Sequence, residues 1–150
     1  MKILVCSDSH GETELLKKIF YKNQDCSLFL HCGDSQLPDY MISPYLTVKG
    51  NCDYFDYPPQ REIQTKWGMI HMEHGHLYHK DPQKYIDSLN CFIYLYGHTH
   101  VKEHGYDGKC YVFNPGSLTR PRDGDKGSYL VIDIDDSNGR VTYKFYSIDL

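Results

Sequence analysis

Along the chain, short apolar runs end again and again in polar clusters. Lys2-Ile3-Leu4-Val5-Cys6 lacks the alternation of a half-exposed strand, which predicts a first strand covered on both faces and leading into Ser7-Asp8-Ser9-His10-Gly11. Leu15, Leu16, Ile19 and Phe20 then recur at helical spacing, and Ser9 stands three residues before Glu12 as in a capping box. A helix is therefore expected from about Glu12 to Lys22. Leu28-Phe29-Leu30 runs into His31-Cys32-Gly33-Asp34, and Tyr45-Leu46-Thr47-Val48 runs into Gly50-Asn51-Cys52-Asp53, as strands entering glycine turns do. Arg61 to Thr65 and Met69 to Met72 flank Lys66-Trp67-Gly68 as the arms of a hairpin whose second arm enters His74-Gly75-His76. Pro82 suits the first turn of a helix ending near Leu89. Cys91 to Tyr96 leads to Gly97-His98-Thr99-His100, and Cys110 to Phe113 leads to Asn114-Pro115-Gly116-Ser117. Tyr129 to Ile134 and Val141 to Tyr146 flank Asp136-Ser137-Asn138-Gly139, predicting a closing antiparallel hairpin that turns at Asn-Gly.

Strands outnumber helices, and the helices fall between strands in the first two-thirds, so the expected class is α/β, becoming strand-rich toward the end. Two packed sheets with flanking helices satisfy this pattern. A length of 150 residues with 40% hydrophobic content fits one domain, residues 1–150, around one core, with no linker or repeat. Both charge signs are mixed along the chain and the formal net charge is -4, so bulk electrostatics do not attract polyanions and any phosphate binding has to be local. No run of about 18 apolar residues exists to span a bilayer, and Asp8 and His10 stand where a signal peptide would need apolar residues. Cys6, Cys26, Cys32, Cys52, Cys91 and Cys110 are scattered and form no CxxC pair, against a disulfide framework, a zinc ribbon or a thioredoxin-type site. These features together predict a soluble, unprocessed protein of the reducing cytoplasm.

The polar clusters that carry Asp8 and His10, Asp34, Asn51, His74, and His98 and His100 follow five separate apolar strands at their carboxyl ends, the edge where crevices form in open α/β sheets. Asp8 and His10 stand two apart in a turn, so that a carboxylate oxygen and an imidazole nitrogen can face one cation. Asp34 can offer an oxygen to each of two ions, Asn51 an amide oxygen, and His74, His98 and His100 nitrogens. Mixed oxygen and nitrogen donors suit Mn, Fe, Zn, Co or Ni better than Ca. His31, at the end of an apolar run, reads as a hydrogen-bonding partner rather than a ligand, and His71, His79 and His104 as surface residues. Asp53 either orients neighbouring turn atoms or simply favours its turn. Asn114 to Ser117 is either a loop that supports the site or a proline-glycine turn, and Arg120 and Arg122 are either phosphate contacts or solvated loop cations. No cysteine is followed by five residues and an arginine, and no GxxxxGK[ST] loop is present, which sets aside cysteine-dependent phosphatases and nucleotide loops of that type.

The ordered set Asp8-Ser9-His10, Gly33-Asp34, Gly50-Asn51-Cys52-Asp53, His74-Gly75-His76 and Gly97-His98-Thr99-His100 resembles the calcineurin-like metallophosphoesterases, particularly their smallest phosphodiesterase branch. The resemblance implies a four-layer βαββα-type sandwich of two mixed sheets flanked by helices. It also implies two divalent ions, manganese first, with Ni, Zn, Fe, Co or Mg as the alternatives. Asp8, His10, Asp34 and His100 match the ligands of one ion, and Asp34, Asn51, His74 and His98 those of the other, Asp34 bridging. Metals about 3.5 to 4 Å apart would lower the pKa of a bridging water for in-line attack on phosphorus. The chain departs from many members at Cys52, where they carry a histidine assigned to leaving-group protonation or transition-state stabilisation. A thiol is a poor proton donor at neutral pH, which predicts faster turnover of aryl phosphodiesters than of alkyl monoesters, with His76 contributing a proton or holding the phosphate. The expected substrate is a small phosphodiester or phosphomonoester rather than nucleic acid or a membrane, and self-association is left open. The rival readings are a non-catalytic scaffold resembling the retromer subunit of this fold, and a nuclease.

Overall fold

The computed structural model describes residues 1–124 and 126–148. In chain order the elements are β1 (Lys2–Cys6), α1 (Glu14–Lys22), β2 (Leu28–His31), α2 (Asp39–Ile42), β3 (Leu46–Thr47), β4 (Gln60–Thr65) and β5 (Gly68–Glu73). There follow α3 (Pro82–Leu89), β6 (Ile93–Leu95), β7 (Lys102–Tyr106), β8 (Tyr111–Pro115), β9 (Ser128–Ile134) and β10 (Val141–Ser147). They form two mixed five-stranded sheets, ordered β10-β9-β1-β2-β3 and β4-β5-β6-β8-β7. β1 is parallel to β2 with Ile3 opposite Leu28 and antiparallel to β9 with Ile3 opposite Ile132. In the other sheet β5, β6 and β8 run parallel, Ile70 opposite Ile93 and Ile93 opposite Tyr111.

The sheets face each other across one apolar core of Ile3, Val5, Leu30, Ile70, Met72, Ile93, Leu95, Phe113, Leu130 and Ile132. The outer face of the first sheet, through Leu4 and Cys6, packs on Leu16 and Ile19 of α1 and Ile42 of α2. The outer face of the second, through Tyr94 and Val112, packs on Tyr85, Ile86 and Leu89 of α3. Helix, sheet, sheet, helix is the four-layer arrangement expected, and burial on both faces explains why the central strands read as unbroken apolar runs. Because β1, β2, β5, β6 and β8 point the same way within their sheets, their carboxyl-end loops collect at one rim.

Several expectations are corrected in detail. α1 begins at Glu14, because His10 and Gly11 have φ of 46° and 85° and turn the chain before any helix can start. The Ser9 to Glu12 capping box does not form. Glu12 Oε1 accepts instead from the Glu14 and Leu15 amides at 2.8 and 3.2 Å, and Ser9 Oγ pairs with His31. The last hairpin turns through the whole of Asp135 to Arg140, closed by the Asp135 N–H to Arg140 carbonyl bond of 2.9 Å, rather than at a two-residue Asn-Gly turn. α2 and β7 carried no expectation. His71 is buried, not on the surface: it points from β5 to the helix side, between Glu73 Oε2 at 3.0 Å and Glu62 Oε1 at 3.5 Å, and stacks on Tyr94.

Candidate metal centre

Every candidate ligand lies in a loop that follows a strand of the central layers, and most sit there in an unusual backbone state. Asp8, His10, Asp34, His98 and His100 all have φ between 46° and 68°. Side chains other than glycine rarely adopt this left-handed region, and holding one there costs about 1–3 kcal/mol. The surrounding hydrogen bonds hold it. Asp8 N–H donates to the Gly33 carbonyl at 3.0 Å, His10 N–H to Asp34 at 3.0 Å and Leu118 N–H to Ser7 at 3.0 Å. Ser117 Oγ donates to the Asp8 carbonyl at 2.8 Å. The loops pack so closely that two glycines are obligatory. A Cβ on Gly97 would lie 2.1 Å from Ser7 Oγ, and one on Gly50 would lie 2.0 Å from Asp34 Oδ1.

The imidazoles share one orientation. His74 donates from Nδ1 to the Cys32 carbonyl at 2.8 Å, His100 from Nδ1 to the Arg120 carbonyl at 2.7 Å, and His10 from Nδ1 to Gln36 Oε1 at 2.8 Å. With the proton fixed outward, each Nε2 presents a lone pair inward. Those lone pairs meet oxygens that are themselves acceptors. His74 Nε2 is 3.0 Å from Asn51 Oδ1, 3.2 Å from Asp34 Oδ2 and 3.7 Å from Asp8 Oδ1, and His100 Nε2 is 3.3 Å from Asp8 Oδ1. Asp8 Oδ1 and His10 Nε2 are buried without a hydrogen-bond partner. An orphaned buried acceptor costs about 1–3 kcal/mol, more when charged, so acceptors facing acceptors call for a cation between them. A proton is the least that meets this demand: burial lowers the His74 imidazole, but the Asp34 hydrogen bond and the charges of Asp8 and Asp34 carry it above its ordinary value. Burial likewise pushes the Asp34 carboxyl up, and His74, the Cys52 amide and His10 more than reverse this, holding it at about 2. Among the described residues, three sets of His, Cys and Asp donor atoms come close enough to share an ion: Asp8 with His10 and His100, Asp8 with Asp34 and His74, and His10 with Asp34 and Cys52. The carboxylate, amide and imidazole donors fit divalent transition metals.

His98 joins the rim through its backbone, whose N–H donates to Asp8 Oδ2 at 3.0 Å, and its ring lies edge-on to His74 at 5.1 Å. His76 is exposed, its ring 5.4 Å from that of His74 and 6.2 Å from that of His98. Burial and the neighbouring His74 lower its imidazole, which is therefore neutral at neutral pH. Cys52 is exposed too, and burial and the Asp34 charge raise its thiol, making it a still weaker acid. Asp53 is buried and ties the loops together: Oδ2 accepts from the Asp34 and Gly50 amides at 2.9 and 2.7 Å, and Oδ1 from the Gln36 amide at 2.8 Å. His31 is a buried support as expected, its Nδ1 accepting from Gly33 N–H at 3.1 Å while Nε2 donates to Ser9 Oγ at 2.9 Å. Asn114 supports the His98 loop, donating to the Gly97 carbonyl and Thr99 Oγ1, both at 3.0 Å. Arg120 and Arg122 have exposed side chains and serve the site through their backbones, accepting from His100 Nδ1 and donating to the His100 carbonyl at 2.9 Å. Gln36 and Ser7, whose Oγ donates to Asp8 Oδ2 at 2.6 Å, were not anticipated, and no motif marks either.

Known proteins are similar to this chain in sequence and fold. Residues 1–137 match the calcineurin-like phosphoesterase superfamily domain. The probable metallophosphoesterase YsnB of Bacillus subtilis (strain 168) is 31% identical over 156 aligned positions, covering 97% of this chain and 90% of that protein. The phosphodiesterase YfcE of Escherichia coli (strain K12) is 25% identical, covering 90% of this chain and 89% of that protein. The crystal structure of a conserved uncharacterized protein of Streptococcus pneumoniae TIGR4, a predicted phosphoesterase, superposes with a TM-score of 0.81 at 30% identity over 95% of this chain and 87% of that one. The family implies divalent metal ions, and the donor set described above suits them. The chain belongs to the calcineurin-like phosphoesterase superfamily and is a metal-dependent phosphoesterase.

Proposed function

We propose that this chain is a phosphodiesterase of small substrates, in which Asp8, His10, Asp34 and His100 hold one divalent cation and Asp34, Asn51, His74 and His98 a second, manganese in the cell. The observation that carries the assignment is the common anchoring of His10, His74 and His100 through Nδ1, which leaves Nε2 of His74 and His100 facing carboxylate or amide oxygens and Nε2 of His10 buried without a partner. A scaffold that only docks partners has no use for buried acceptors set against one another. When bound, such a pair of cations supplies activation of water and offsets charge on the phosphoryl oxygens. With Asp8 and Asp34 as the anionic ligands the cage keeps a net positive charge, so it draws phosphate although the chain as a whole is acidic at -4.

Cys52 and neutral His76 leave the rim without a strong acid, so the leaving group departs with its electron pair and takes its proton from solvent. That favours aryl leaving groups; the diester part of the reading is supported by the name of the relative YfcE, a phosphodiesterase. The core shared by both sheets supports reading residues 1–150 as one domain, and no helix among the described residues is long and apolar enough to cross a membrane. The test is to strip the protein of metal, reload it with Mn, Ni, Zn or Mg and measure hydrolysis of bis(4-nitrophenyl) phosphate and 4-nitrophenyl phosphate. The diester should be cleaved faster, most of all with Mn, and Asp34→Ala should lose both turnover and tight metal binding. Tight metal binding undiminished in Asp34→Ala would overturn the assignment.

A further inference from the structure

A cleft of about 230 Å³ opens beside the cage and is lined in part by His74 and His76. Pro59, Leu77, His79, Tyr85 and Lys49 also line it. We infer that this cleft is the leaving-group subsite of the phosphodiesterase proposed above, on which the inference rests, and that it selects a single planar ring over a compact alkyl group of equal acidity.

Connection comes first. A phosphate seated on the cage lies beside His74 and His76, so the ester substituent directed past those residues enters this cleft. The walls then decide what suits it. The His79 and Tyr85 rings are stacked at 3.6 Å and 12° from parallel. Tyr85 is fixed at its far end, its hydroxyl donating to Glu73 Oε2 at 2.7 Å. Glu73 is held in turn by His71 Nε2 at 3.0 Å and the Tyr94 hydroxyl at 2.5 Å. A ring bound against this wall gains apolar contact without having to immobilise the wall itself. Leu77 stands on the rim 67% exposed, an uncovered apolar side chain at the position a bound ring would reach. The volume is below the ~300–1,000 Å³ of pockets for drug-sized ligands, which suits one ring and not a polymer. Lys49 is half-buried and has no ion pair among the described residues, so it offers the entering anion a cation in a cleft that Glu73 also lines.

Two methyl diesters with leaving groups of closely similar acidity separate shape from leaving ability: methyl 3-chlorophenyl phosphate and methyl hexafluoroisopropyl phosphate. In each, water adds across the P–O bond and the leaving oxygen takes a proton from solvent. For the manganese-loaded enzyme the ratio of the two kcat/KM values should favour the aryl ester by about tenfold or more, the low end of what a hydrophobic pocket contact supplies. Leu77→Ser, at an exposed position that the fold tolerates, should bring that ratio down severalfold. A wild-type ratio near one, or a ratio that Leu77→Ser leaves in place, overturns the subsite. Hydrolysis of neither ester counts against the parent reaction, and a binding measurement then judges the cleft alone. Phenyl methylphosphonate titrated into the protein loaded with diamagnetic Mg should shift the Leu77 methyl and Tyr85 ring NMR signals, and hexafluoroisopropyl methylphosphonate should not. Signals unmoved by the phenyl compound, or moved equally by both, overturn the inference.

Discussion

Asp53→Asn keeps the shape of a side chain that touches no proposed metal and yet should weaken both the fold and the site. Asp53 spreads its charge over three backbone amides, those of Asp34, Gly50 and Gln36. If the carbonyl of the substituted side chain takes the place of Oδ2, the Asp34 and Gly50 bonds survive but become neutral. That drops each from about 1.5–3 to about 0.5–1.5 kcal/mol, a loss of about 1 kcal/mol apiece. The new amide group then faces the Gln36 N–H, donor against donor, for about 1–3 kcal/mol. Gln36 is only half-buried, so water relieves part of this, and about 3 kcal/mol of destabilisation is expected. With a total stability of about 5–15 kcal/mol the variant stays folded, so its metal binding can be measured. The backbone under the Asp34 carboxylate is held less firmly, and manganese affinity should fall by about 10–100-fold, as when groups behind other metal ligands are removed. Urea unfolding of the metal-free protein gives the first quantity and calorimetric titration the second. Stability within about 0.5 kcal/mol of wild type, the range of an ordinary surface change, together with an unchanged Kd, would refute the reasoning.

Gly97→Ala puts a Cβ 2.6 Å from Asp8 Oδ2, so the carboxylate has to move; metal titration should show at least a tenfold weaker site, and wild-type affinity would mean that Asp8 is dispensable. Burial holds the His31 imidazole down at about 3, whereas the unfolded chain takes up that proton below about 6.5. The unfolded state therefore binds more protons within that window, and stability falls as pH drops through it, by up to about 1.4 kcal/mol per unit. Urea midpoints at roughly pH 7 and pH 5 should fall less in His31→Gln than in wild type, and an equal fall rules out His31 as the cause. The buried Cys91 and Cys110 sulfurs lie 3.3 Å apart, so diamide, taking up the two hydrogens of this pair, should leave two fewer titratable thiols than the six of the sequence; Cys110→Ser should abolish that rapid loss, and its persistence would point to another pair.

The strands of both central layers were legible because burial on two faces leaves unbroken apolar runs, and the candidate ligands because they stand where those runs stop. His71 was misjudged although its position inside Met69 to Met72 carried the signal: a strand covered on both sides buries its polar members as well. β7 could not be read from Lys102-Glu103-His104-Gly105-Tyr106, whose exposed residues show no period; it forms because β8 offers an open edge. α1 was placed two residues early, since the left-handed turn at His10 and Gly11 exists for the sake of the site and overrides local helix propensity. The supports of the imidazoles stayed hidden for a different reason. Two are backbone carbonyls, of Cys32 and Arg120, and a carbonyl has no sequence signature.

Asp8, His10, Asp34 and Asn51 follow strands of one sheet, while His74, His98 and His100 follow strands of the other. On the proposed assignment each cation is a clasp across the seam, joining layers that are otherwise held by apolar contact and a few loop hydrogen bonds. Occupancy and folding then become one equilibrium: a cation at a thousand times its Kd adds about 4 kcal/mol to stability. Chelation would unfasten this rim first, because at the opposite end the Trp67 ring packs over Gly139 from the neighbouring sheet and keeps the layers together there. On that assignment, the supply of metal would govern how long the chain stays folded as well as how fast it turns over.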